Sequence, residues 1–119
     1  MDVRIKLHET LNDGVPEVGT RVYPLIMPQD TKENAIVYTM IGNIERTGVS
    51  CNAPLFMNHN VQVDVFCKTY AEMVEIGKKT LEALRAGFKI SGVMTYELYE
   101  EHTLKYRMVI DFRLNVTSP

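Results

Sequence analysis

The sequence predicts an α+β fold. It is a single antiparallel sheet of about four to five strands, with room for a mixed edge, and two helices packed on one face. The element order is α-β-β-β-α-β-β. Three observations predict it. First, His59 to Gly87 reads as one strand running into one helix. Val61, Val63, Val65 and Cys67 alternate with Gln62, Asp64 and Lys68, and the period then changes. Tyr70, Met73, Val74, Gly77, Leu81 and Leu84 recur at helical spacing. Second, Leu104, Tyr106, Met108, Ile110, Phe112, Leu114 and Val116 alternate with mostly polar residues, and only Val109 is out of place. A strand this regular suits the centre of an antiparallel sheet with one solvated face. Third, the 119 residues carry no internal repeat, linker or low-complexity tract. Residues 1–119 therefore read as one domain with a modest core.

The remaining elements follow in order. Val3, Leu7 and Leu11 are spaced as on a helix face, whereas Val3, Ile5 and Leu7 also alternate as in a strand. Asp2 as a cap and the continuation through Leu11 favour the helix. Asn12-Asp13-Gly14 ends it. Arg21–Ile26 is a short strand that Pro24 confines to an edge, because proline donates nothing to a ladder. Met27–Asn34 is a polar connector. Ala35–Arg46 is a β-branched strand in which Gly42 marks a candidate bulge. Thr47–Asn58 is the longest unassigned connection. Thr69 and Glu72 have capping-box spacing at the start of the second helix, and Gly87 suits its end. Phe88–Tyr99, with a break at Ser91-Gly92, should pair as a hairpin with the last strand.

The composition is that of an ordinary globular domain: 45% hydrophobic and 24% charged, with a net charge of −2. A charge so small implies no bulk attraction to nucleic acid or an anionic membrane. No apolar run approaches the ~20 residues a membrane span needs. The charged start at Met1 does not read as a secretory signal. The expectation is synthesis in a reducing cytosol with Cys51 and Cys67 unpaired.

Chemistry is sparse. His8, His59 and His102 lack the spacing of paired metal ligands on a helix. Cys51 has no adjacent base, and Cys67 falls on an apolar strand face. Glu97, Glu100 and Glu101 cluster around a turn, where carboxylates are usually solvated. Lys78 and Lys79 are flanked by Glu75 and Glu82 at helix-neighbour spacing. The glycines match neither a P-loop nor a dinucleotide fingerprint. The reading is no catalytic site, no metal site and no cofactor. Met27, Phe56 and Met57 stand out as apolar residues in connectors, which either tuck back or form interfaces.

Several segments, in their order along the chain, carry a resemblance. R-V-Y-P at Arg21–Pro24 is followed by Pro28-Gln29 and the I-V-Y strand at Ile36–Tyr38. V-Q-V-D-V-F-C-K-T-Y-A-E at Val61–Glu72 enters a helix ending K-K-T-L-E-A-L, and Y-R-M-V-I-D-F closes the pattern at Tyr106–Phe112. From Asp2 to Thr117 the chain resembles the tail-completion (tail-terminator, head-to-tail joining) proteins of long-tailed phages and prophages. The resemblance implies a structural virion protein, not an enzyme. It would be made in the bacterial host cytoplasm and assembled at the head-proximal end of the tail. It implies a homo-oligomeric ring, a hexamer by preference, on the tail tube protein and facing a head-side connector protein. DNA would pass through only as cargo, and no membrane is involved. Cys51, Leu55, Phe56 and Met57 make the second connector more apolar than is usual in the family.

On that reading, exposure logic picks Met27 and Gln29 in the first connector, and Leu55, Phe56 and Met57 in the second, as contacts with a neighbouring subunit or the tube. Two alternatives stand beside it. One is another head–tail or tail-tube subunit of the same fold. The other is a small ligand-binding domain or enzyme with a site under Thr47–Asn58 that uses His59 with Glu97 or Cys51.

Overall fold

The computed structural model describes residues 3–28, 33–46 and 55–118, with the backbone alone at 42–46, 55–58 and 116–118. Helix α1 (Val3–Gly14) is followed by a single 3-10 turn at Pro16–Val18 and by strand β1 (Val22–Pro24). Then come β2 (Ala35–Arg46), β3 (Leu55–Cys67), helix α2 (Tyr70–Gly87), β4 (Ile90–Glu100) and β5 (Lys105–Ser118). The predicted order of two helices and five strands is the observed one.

The strands form one sheet in the order β1-β2-β3-β5-β4. All neighbours run antiparallel except β1, which lies parallel to β2 and makes the edge mixed. Pro24 closes β1 after three residues, as its missing N–H dictates. β5 lies inside the sheet, between β3 and β4. Both predicted irregularities are bulges. One falls between Met40 and Gly42 of β2, and the other between Ser91 and Met94 of β4. Gly92 has φ +60 there, a conformation that glycine alone adopts without a Cβ clash.

One sheet face carries the core. Ile36, Val63, Val65, Cys67 and Ile110 are buried with Leu7, Leu11, Met73 and Leu84 of the helices. Some features differ from the sequence reading. The buried stripe of α2 is Met73, Ile76, Gly77, Thr80 and Leu84, whereas Tyr70 and Val74 are exposed. Thr80 is tolerated there because its hydroxyl donates to the Ile76 carbonyl at 2.7 Å. Met108 packs over Gly77, where a Cβ would sit 2.3 Å from its Sδ and turn the flexible thioether aside. Gly87 does not end α2 through a left-handed turn. It lies against Thr10 of α1, and the Phe88 N–H donates to the Leu84 carbonyl at 3.0 Å.

The α2 cap is tied into the sheet. Thr69 Oγ1 accepts from the Glu72 N–H at 3.2 Å and donates to Glu72 Oε1 at 3.0 Å. Glu72 Oε2 accepts from the Asn34 amide, whose Oδ1 takes the Lys68 N–H at 3.0 Å. Glu72 therefore reaches the Thr69 hydroxyl and, sideways, Asn34 just before β2. The Asn34 and Thr69 hydrogen bonds hold its carboxyl below the usual range. A depressed folded pKa gives stability that is present above 4.5 and lost as pH falls through the folded value. We expect Glu72→Gln to unfold more readily than wild type at pH 7, with the difference vanishing in acid. Thermal unfolding across pH 2–7 reads this, and a pH-independent difference would refute it.

Candidate functional site

The face of the sheet turned away from the helices is not the plain solvated surface that alternation predicts. Cross-strand register sets its rows. Ala35, Phe66, Arg107 and Leu98 form one; Val37, Asp64, Val109 and Tyr96 form the next; Thr39, Gln62, Asp111 and Met94 form a third. Ala35, Val37, Asp64, Phe66 and Val109 are all buried, shaded by longer neighbours. This accounts for Val109, the residue that broke the β5 alternation.

A charged knot sits at the centre. Asp64 Oδ1 accepts from Arg107 at 3.2 and 3.1 Å, and Gln62 Nε2 donates to both Asp64 oxygens. The guanidinium lies 5.4 Å from the Phe66 ring centroid, and Glu100 is 3.6 Å away on the other side. With the Gln62 amide turned to Asp64, Asp111 Oδ1 is buried without a partner among the described residues. Burial first, and the nearby Asp64 second, push the Asp111 carboxyl above its usual range. A carboxylate raised on folding costs stability as pH rises past 3.8. Asp111→Asn should therefore stabilise at pH 7 by about 1 kcal/mol and be neutral below pH 3.8. Urea unfolding at the two pH values checks it.

Two apolar surfaces flank the sheet at opposite edges. On one side β4, 11 residues long and almost wholly exposed, is the edge strand among the described residues, with Met94, Tyr96 and Leu98 on one side and Tyr99 on the other. It carries no Pro, Lys or Arg, and its charged residues, Glu97 and Glu100, lie toward one end. On the other side, α1 and β1 enclose a groove of about 370 Å³ lined by Arg4, Ile5, His8, Glu9, Pro24 and Tyr38. His8 Nδ1 and the Tyr38 hydroxyl share a hydrogen bond at its floor, 3.0 Å long. Leu25 and Ile26 follow Pro24 in the chain, 67% and 77% exposed.

Leu25 also has φ +66, a left-handed conformation that costs a branched residue about 1–2 kcal/mol. Its N–H donates to the Tyr38 carbonyl at 2.9 Å, which holds the turn in place. Leu25→Gly should raise monomer stability by about 0.5 kcal/mol, the relieved strain less the entropy cost of glycine. A lower melting temperature would contradict that account.

The sequence-predicted contact residues are placed unevenly. Met27 is half-buried just beyond β1. Gln29 lies outside the described residues. Leu55, Phe56 and Met57 are not in a connector. Their backbones belong to β3, paired with β2 through Arg46↔Phe56 and with β5 through Phe56↔Thr117. The connector is correspondingly shorter, and residues 47–54, Cys51 among them, lie outside the described residues.

The alternative constellation does not assemble. His59 is buried in the row of Leu114 and Ile90, while Glu97 is exposed in the row of Met108 and Val65. Those rows are six residues apart on β3, roughly 20 Å. Glu97 is taken by the Tyr70 phenol, whose pKa this hydrogen bond raises. Cys67 is fully buried, and burial pushes its thiol up to about 12, so it offers no thiolate. Among the described residues no three His, Cys, Asp or Glu side chains are grouped to hold a metal ion.

Comparison with known proteins adds the fold relation. No family pattern matches the chain, and no curated protein matches it. A chain in the solved structure of the virion of a native gene transfer agent (GTA) particle superposes with a TM-score of 0.59. The match covers 94% of this chain and 92% of that one, at 14% identity. The two chains share a fold. The likeness spans nearly the whole of both. Sequence reasoning missed the two lateral edges. The alternation of β4 was visible, but only the strand order shows that its outer side has no partner among the described residues.

Proposed function

We propose that this protein is a structural virion protein of a phage or prophage that completes the tail. It acts by assembling as a ring, hexameric by preference, on the head-proximal end of the tail tube and by joining the head connector. The observation that carries the reading is the fold shared over almost the full length with a chain of a virion particle. The order of segments that resembles tail-completion proteins points the same way. The sparse chemistry of the described residues and the two apolar flanks suit a role in contact rather than catalysis. Its partners would be further copies of itself, the tail tube protein and the head-side connector, with DNA passing through the ring.

Met27, Gln29, Leu55, Phe56 and Met57 remain proposed contacts.

Electron microscopy of particles made without this protein tests the role. Tails of abnormal length beside unjoined heads are expected. Particles lacking tubes altogether would instead make it a tube subunit of the same fold. Normal particles would remove the proposal.

A further inference from the structure

The two lateral surfaces differ in kind, and the difference is informative. One is a strand edge with exposed Met94, Tyr96 and Leu98, and the other is an apolar groove lined in part by Pro24, which exposed Leu25 and Ile26 follow in the chain. The groove is not self-complementary, because a groove does not fill a groove, and two β4 edges pairing with each other would leave it unfilled. A contact between unlike patches on opposite sides of a subunit is heterologous, and it closes into a ring when the rotation allows.

Charge sets the direction of docking. Both Arg4 and Glu9 line the groove, and on α1 they are five residues apart, about 7.5 Å along the axis. β4 has no charged residue from Ile90 to Tyr96, then carries Glu97 and Glu100, with Glu101 following. With Glu97 held by the Tyr70 phenol and Glu100 3.6 Å from Arg107, the exposed Glu101 just past β4 keeps that end acidic toward Arg4, and the uncharged end of β4 can lie beside Glu9 without repulsion. The reverse orientation sets carboxylate against carboxylate.

We infer that β4 of one copy docks against the α1–β1 groove of the next, Leu98 entering beside Ile5 and Arg4, in a head-to-tail lateral interface. This deepens the ring reading and rests on it. The occupant is a second copy of this chain. The groove supplies the burial that Met94, Tyr96 and Leu98 lack in the single subunit.

Cross-linking tests it in the full chain, with Cys51→Ser removing the thiol outside the described residues. Ile5→Cys and Leu98→Cys are each made alone and together, then treated with a short bis-maleimide at high protein concentration, with and without tube protein. Circular dichroism confirms that each variant is folded. Each single variant should stay monomeric on a denaturing gel, and the double variant should give a ladder that passes the dimer. In the double variant, adding Leu98-flanking charge through Tyr96→Glu should weaken the ladder at least about tenfold.

A dimer from Leu98→Cys alone would mean that β4 meets its own twofold copy, which overturns the inference. So would the absence of a ladder, whether light scattering shows multimers or a monomer under every condition. The outcome separates from the proposed function. A ladder together with normal particles from a deletion strain upholds the interface and removes the tail role. Unjoined heads without a ladder do the opposite.

Discussion

Arg107→Ala is expected to lower stability by about 3 kcal/mol, because it leaves Asp64 charged and buried with no cation. Asp64 is 4% exposed at the middle of the sheet, and Arg107 supplies two of its hydrogen bonds. Gln62 remains after the substitution, but a neutral amide does not offset a buried charge, and Asp111 nearby adds repulsion. Arginine also shields one face of Phe66, so alanine exposes apolar area as well. The midpoint of urea unfolding gives the loss. Replacing both partners, as Asp64→Asn with Arg107→Met, should recover most of it, since removing a whole buried pair costs far less than removing half. A double variant as unstable as the single one would place the effect in packing rather than charge.

Gly14→Val should cost about 2 kcal/mol by a different route. A Cβ at Gly14 would stand 2.6 Å from the Cβ of Ala83, and neither atom can rotate away. The helices must separate at the point where the last turn of α1 crosses α2. Ala83→Gly in the same chain reopens the space and should restore most of the loss. The helix-propensity cost of that glycine, about 0.5–1 kcal/mol, sets the limit of recovery. If Gly14→Val alone melts at the wild-type temperature, the close approach of the helices is wrong.

Much of the fold was legible because each element carries one dominant period. β5 shows it best: its even residues face the helices as the alternation requires. Both bulges were visible as glycines inside strands. What was not legible depends on neighbours that a local pattern does not contain. Val109 reads as an error in the alternation, yet it is buried by its row-mates Asp64 and Tyr96, which come from two other strands. Ile76 and Thr80 take places in the buried stripe of α2 that the spacing assigns to Tyr70 and Val74. The candidate contacts at Leu55–Met57 were placed in a loop because Asn52 and Pro54 resemble a longer break than the one present. The surfaces argued here, β4 and the α1–β1 groove, arise from strand order, and order is the property that spacing encodes least.

That order has a consequence for the timing of synthesis. β5 lies between β3 and β4, although it is made after both. Until β5 has emerged, β4 has no strand to pair with and hence no defined edge, while β3 stands open on the side β5 will fill. The α1–β1 groove belongs to the part of the chain made first, but the β4 edge proposed to enter it is defined only once β5 has paired with β4. The two halves of the proposed contact thus come into being at opposite ends of synthesis, and the contact is complete only when the fifth strand closes the sheet.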